Sequence, residues 1–174
     1  MIDPMSIYGR EHYDGEYFTN LRSWLSEQKF KRGAEIGFAW GMSAMAFLET
    51  QKAPLTSFDL NDVMEKHDKV KSVYGYRFTL IIGDSSTNLL KEEGTFDYIY
   101  VDGDHEYQPV VKDLEAAHKK LSTGGVIVCD DYGNPCGVKQ AVDEFCDKYG
   151  YSLEVMHGNP NGGVILRRQD VKRK

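Results

Sequence analysis

The chain has 174 residues, enough for one domain whose core needs no disulfide or metal to staple it. Its 27 acidic against 21 basic side chains give a formal charge of -6, the wrong sign for a protein whose main partner is a phosphate backbone, so no nucleic-acid partner is expected. No apolar run is long enough to span a bilayer and MIDPMSIYGR is not a signal segment, so no membrane partner is expected either, and the reading is cytoplasmic.

The start, through Tyr13, is polar and punctuated by Gly and Pro, and the tail RRQDVKRK is charged. Residues 1–15 and 169–174 therefore read as flexible ends of a single domain spanning 1–174. From Glu16 to Lys29, apolar residues at Tyr17, Leu21, Trp24 and Leu25 follow the spacing of one helix face. GAEIG is a short strand ending in glycine, and a helix of small residues runs from Met42 to Thr50. In that helix Met42, Met45 and Phe47 read as core. LTSFD is the second strand, a polar helix covers Asp62 to Tyr74, YRFTLIIGD is the third strand, and a short helix spans Thr87 to Glu92.

The second half alternates more clearly. FDYIYVD is a strand, Pro109 stands near the first turn of the next helix, and Val110, Leu114, Ala117 and Leu121 line one face of it until Gly124-Gly125 ends it. GVIVCD is a buried type of strand. Val138, Val142, Phe145 and Tyr149 mark a helix capped by Gly150, and YSLEVMH and GGVILRR, separated by GNPN, form a closing antiparallel hairpin. Five β-α units followed by β-β predict an α/β fold, a parallel sheet covered by helices on both faces.

In such a sheet, acids that end separate strands gather on one rim, outside the carboxyl ends, where ligands bind. Asp102, Asp104 and the pair Asp130-Asp131 are placed there, and acids so gathered suit one hard cation or one cationic ligand. Gly37 and Gly41 lie in the turn after the first strand, where backbone approaches a ligand closely. A dinucleotide fingerprint counted from Gly37 wants glycine at 39 and 42, where Ala39 and Met42 stand, so a pyrophosphate cradle is disfavoured and a carboxylate, with the Ser43 hydroxyl beside it, is favoured. Asp59 ends the second strand, the position from which an acid reaches ribose hydroxyls. Asp84 and Ser85 end the third as an acceptor and a donor suited to an adenine edge. The cysteines Cys129, Cys136 and Cys146 are odd in number and lack a CxxC spacing, so buried or idle thiols are expected.

E-I-G-x-x-x-G-x-S at Glu35 to Ser43, Asp59, G-D-S at 83 to 85, V-D-G-D-H at 101 to 105 and G-G-V-I-V-x-D-D-Y at 124 to 132 occur in this order. From Gly33 to Arg168 the chain resembles class I S-adenosylmethionine-dependent methyltransferases, and the last two motifs most resemble the small-molecule O-methyltransferases of antibiotic-sugar and catechol type. The resemblance implies a Rossmann-like, seven-stranded, mostly parallel sheet with an antiparallel last strand. It implies S-adenosyl-L-methionine as cofactor, with the methionine moiety over Gly37 to Gly41 near Glu35, Ser43 and Asp102, the ribose at Asp59, and the adenine at Asp84 and Ser85. In metal-dependent relatives a divalent ion, usually magnesium, is held after the fourth and fifth strands, and those positions are Asp102, Asp130 and Asp131 here.

The same acids also admit a reading without metal, in which one caps a helix, one binds the donor's amino group and one is solvated. Asp104 and His105 compete as the base, and the imidazole has the more suitable ordinary pKa. His118 and His157 read as structural, and Trp40 either stacks on substrate or covers the core. The expected acceptor is a small molecule, and so little cap suggests an open site or one completed in a homodimer. The rival functions are a metal-free N- or O-methyltransferase, a catalytically idle donor-binding module, and, third, a nicotinamide oxidoreductase.

Overall fold

The computed structural model describes residues 15–61, 64–133, 137–156 and 162–169. The expected flexible ends fall almost wholly outside these residues, as do Asp62, His157 and Cys136. The helices are α1 (Glu16–Ser26), α2 (Met42–Thr50), α3 (Met64–Tyr74), α4 (Ser85–Lys91), α5 (Tyr107–Lys120) and α6 (Val138–Tyr149). The strands are β1 (Gly33–Ile36), β2 (Leu55–Asp59), β3 (Phe78–Ile82), β4 (Phe96–Val101), β5 (Leu121–Cys129), β6 (Tyr151–Met156) and β7 (Gly163–Arg168). No helix of the described residues is long and apolar enough to cross a membrane.

The seven strands form one sheet in the order β3-β2-β1-β4-β5-β7-β6. All neighbours from β3 to β5 are parallel, and β7 is antiparallel to both β5 and β6. The helix-covered sheet expected from the alternation is therefore present, with the Rossmann-like architecture and antiparallel last strand that the resemblance implied. The alternation of side chains along β4 shows how two helical layers cover it. Tyr98 and Tyr100 join the core beneath α1 and α2, while Ile99 and Val101 join the core beneath α5 and α6. Within α2, Met42, Met45 and Phe47 are buried in the first of these cores.

Several boundaries differ from the sequence reading: α4 runs from Ser85 to Lys91 rather than from Thr87 to Glu92, β3 begins at Phe78, and two further differences have a visible cause. α1 stops at Ser26 rather than Lys29, because Glu27 N–H and Gln28 N–H bond back three residues, to Trp24 and Leu25, and the buried Gln51 amide takes up the Leu25 carbonyl. Leu121, counted by its spacing as the end of a helix face, is instead extended and begins β5. Phe96 of β4 pairs with Leu121 while Tyr98 pairs with Val126, so a bulge containing Gly124, at φ +76°, stands between the two registers.

The chain reverses its winding direction between β1 and β4, which are adjacent. That switch point is where a crevice opens at the carboxyl ends of the strands. The ladder runs one residue past the strands: Gly37 N–H donates to Phe58, Gly83 to Asp59, Asp102 to Ile36 and Asp130 to Val101. Those four bonds bring the strand-ending residues level on one rim.

Candidate active site

The turn from β1 into α2 is shaped by glycine and by one acid. Gly37 has φ +84°, and a Cβ there would sit 1.8 Å from the Asp102 carbonyl oxygen, so only glycine lets β1 and β4 end this close together. Asp59 then fixes the turn. Its Oδ2 accepts from Phe38 N–H (3.0 Å) and Ala39 N–H (2.9 Å), and its Oδ1 accepts from Asn61 N–H (2.8 Å). Gly41, at φ +75°, is the N-cap of α2. Beneath the turn the buried Glu35 accepts hydrogen bonds from Ser43 Oγ and Ser57 Oγ. Burial outweighs these two donors and pushes its carboxyl up to about 8. Glu35 and Ser43, both expected at the donor, thus bind each other.

At the end of β3, Asp84 caps α4, accepting from Thr87 N–H (2.7 Å) and Ser86 Oγ (3.0 Å), and the Thr87 bonds hold its carboxyl below the ordinary value. Ser85 Oγ lies 3.4 Å from the Phe58 carbonyl, to which it donates.

Two clefts open on this rim. One, of about 410 Å³, is polar and is lined by Gly37, Asp59, Leu60, Asp84, Ser85, Asp102, Asp104, Lys112 and Asp113 among others. The other, of about 380 Å³, is largely apolar and is lined by Phe18, Phe38, Trp40, Met42 and Ser43. Ala39 and Asp102 belong to both walls. Trp40 is 64% exposed, with Lys66 Nζ 3.4 Å from its ring centroid.

Beside Asp102 the charges crowd. His105 Nε2 lies 3.0 Å from Asp131 Oδ2 and 3.8 Å from Asp102 Oδ1, and one ligand atom from each of the three lies within 4.8 Å of the others. The carboxylate of Asp102, with Asp131 and Asp104 adding, holds the His105 imidazole above its ordinary value. Burial raises Asp102, and Asp131 adds to that while His105 opposes it. Asp130 does not face this group. Its Oδ2 accepts from Tyr100 Oη (2.7 Å), which lies 3.1 Å from Tyr17 Oη, and its Oδ1 accepts from Asp131 N–H (2.8 Å). Burial, with Asp102 adding, pushes Asp130 up to about 7.

The converging trio is therefore Asp102, His105 and Asp131, not the expected Asp102, Asp130 and Asp131. The cause lies in the backbone: Asp131 takes φ +56°, a conformation that aspartate tolerates, and the two successive side chains part, one into the core and one onto the rim. Asp104 lies on the polar cleft, its Oδ1 accepting from Glu106 N–H at 2.9 Å. His118 lies elsewhere, with Nδ1 2.9 Å from Tyr151 Oη. Asp113 was missed by the sequence reading. Its signal was an acid three residues after Val110 and four before Ala117, on a helix stripe that is otherwise apolar.

Several known proteins are similar to this chain. Residues 34–132 match the family described as "Methyltransferase domain". An uncharacterized protein of Acanthamoeba polyphaga mimivirus is 38% identical over 74 residues, a stretch covering 37% of this chain and 34% of that protein. The chain thus spans about a third of that relative's length. Among solved structures, the SAH-bound methyltransferase PaMTH1 of Podospora anserina superposes with a TM-score of 0.71 at 23% identity, over 88% of this chain and 78% of that one. CalS11, the TDP-rhamnose 3'-O-methyltransferase of calicheamicin biosynthesis, superposes at 0.69 with 19% identity, over 96% and 84%. At these identities the superpositions establish the shared fold.

Proposed function

The chain belongs to the methyltransferase domain family, and from that membership we propose that it transfers a methyl group from S-adenosylmethionine to a hydroxyl of a small molecule, with a divalent cation assisting. The observation that carries the reading is the meeting of two unlike clefts at Ala39 and Asp102. The polar one suits a nucleoside and the largely apolar one suits the body of an acceptor, so the sulfonium carbon and the acceptor oxygen meet where the walls join. In the reaction the S–CH₃ bond breaks as the O–CH₃ bond forms, and the hydroxyl proton goes to a base.

Asp102, His105 and Asp131 would hold the cation. Their fit is chemical as well as geometric, because two crowded carboxylates, one raised by burial, call for a neutralising charge. A bound divalent ion supplies Lewis acidity that lowers the acceptor hydroxyl's pKa. The imidazole in this set suits Mn²⁺, Fe²⁺ or Zn²⁺ better than the all-oxygen surroundings that Mg²⁺ prefers. With His105 among the ligands, Asp104 on the polar cleft takes the role of base. The 3.0 Å contact from His105 to Asp131 favours a second reading, in which no metal takes part and an imidazole oriented by a carboxylate accepts the proton. The open slot at Trp40 and Phe18 also suits closure by a second copy of the chain, which a sedimentation experiment measures.

The test is transfer of labelled methyl from S-adenosylmethionine into a metabolite extract, with and without EDTA, together with calorimetry using S-adenosylhomocysteine. Labelling that EDTA abolishes and Mn²⁺ or Mg²⁺ restores is the expected result. Full labelling in EDTA overturns the metal assignment and leaves the His105–Asp131 base. Absence of S-adenosylhomocysteine binding, or tighter binding of NAD, overturns the donor assignment.

A further inference from the structure

Asp113 is an acid where the packing asks for an apolar residue. It lies on the buried face of α5 among Val110, Leu114 and Ala117, is only 8% exposed, and yet lines the polar cleft. Among the described residues, nothing donates a hydrogen bond to its carboxyl. The carboxyl reaches the cleft, so its partner there is water or a ligand, and a ligand that displaces the water must replace its hydrogen bonds. Its place is held open by Gly103, whose missing Cβ would sit 3.0 Å from Asp113 Oδ2. That glycine is not marked by an unusual φ, so the space it leaves for the carboxyl accounts for it.

The position within the cleft narrows the ligand. Asp84 and Asp104 are the carboxylates that bear on Asp113, and Lys112 beside it is the cation. Asp113 thus sits beside the loop that follows β4, close enough to Asp84 for the two carboxylates to act on each other. Asp84 already accepts two hydrogen bonds as a helix cap and Asp104 one from Glu106 N–H, whereas the acceptor capacity of Asp113 is unused among the described residues. Burial, with Asp84 and Asp104 adding, pushes it up to about 7, so near neutrality it carries its proton for much of the time. A neutral carboxyl offers one donor and one acceptor side by side, the complement of an exocyclic amine next to a ring nitrogen.

We propose that Asp113 reads the amine-bearing edge of the donor's adenine, making it the specificity-determining residue of the nucleoside cleft. The assignment rests on the S-adenosylmethionine reading above and deepens it. The carboxyl accepts from the exocyclic amine and donates to the neighbouring ring nitrogen, while Asp84 keeps its capping role.

The test compares binding of S-adenosylhomocysteine with binding of the same thioether carrying unsubstituted purine, which lacks the amine. The unmodified protein is expected to favour the adenine compound by about tenfold, the worth of one hydrogen bond in a desolvated site. In Asp113→Ala, a change that a helix accepts readily, the preference falls to near unity. In Asp113→Asn, whose amide keeps one donor and one acceptor, it is retained. As a measurement that does not depend on a variant folding, the Asp113 carboxyl carbon in the unmodified protein, followed by NMR, is expected to shift with the adenine compound and much less with the purine one. An undiminished preference in Asp113→Ala, or equal carboxyl shifts with the two compounds, overturns the Asp113 assignment alone. Absence of binding to the unmodified protein overturns instead the donor reading on which it rests.

Discussion

On the β1–β2 side of the rim Asp59 accepts three backbone N–H groups and Glu35 two hydroxyls, whereas on the β4–β5 side Asp102 and Asp131 share one imidazole. Asp113, behind that second side, has no hydrogen bond from the described residues and is pushed up to about 7 chiefly by burial. The two sides hold similar residue types in unlike surroundings. Where donors surround an acid, the acid builds the loop that carries it. Where they do not, as at Asp113, burial and neighbouring carboxylates set the state of the acid.

The comparison breaks most visibly at Gly37. Gly37→Ala puts a Cβ onto the Asp102 carbonyl at φ +84°, and a loss of about 4 kcal/mol is expected from overpacking and backbone strain together. Urea denaturation measures it. An unaffected midpoint would mean that the ends of β1 and β4 are not held together as described. Next in size is Asp59→Ala, which removes the acceptor of three N–H groups and is expected to cost about 3 kcal/mol as well as donor affinity. The contrasting change is Asp102→Asn. It relieves a crowded charge, so stability in metal-free buffer should hold or rise, while labelled-methyl transfer measured with Mn²⁺ or Mg²⁺ present is lost. Equal destabilisation by the two changes would erase the distinction between the sides.

The sheet and its order of elements were legible because apolar residues recur with the strand period and then with the helix period, and because glycines and acids punctuate the change. The start of β5 was not, since Leu121 satisfies the spacing of the α5 face, and only the pairing with Phe96 shows that it has left the helix. At the site, sequence order placed Asp59, Asp84, Asp102 and Asp131 on one rim, as strand ends must be. It could not assign partners. Whether Asp59 points at a ligand or at Phe38 N–H depends on a loop closed by tertiary contacts. The parting of Asp130 from Asp131 depends on one left-handed residue. Asp113 was hidden by its element, because a single acid on an amphipathic helix reads as exposed until its face is known.

The smallest expected effect concerns Glu35, the acid on the well-bonded side that burial still dominates. Its carboxyl is raised from an ordinary value of 4.5 to about 8. The folded protein therefore keeps this proton over a range in which the unfolded chain has released it. The stability so contributed is whole below the ordinary value and is lost as pH rises through about 8, so the slope of stability against pH is negative across that window. Glu35→Gln keeps the shape and the capacity to bond Ser43 and Ser57 but cannot ionise. Asp113 and Asp130 are raised as well, and their titration is common to both proteins, so it cancels in the difference. From about pH 6 to about pH 8 the unmodified protein should lose about 2 kcal/mol relative to Glu35→Gln. Parallel stability curves would show that Ser43 and Ser57 solvate the Glu35 carboxylate as well as water does, and that satisfied and unsatisfied acids on this rim differ by hydrogen bonds alone.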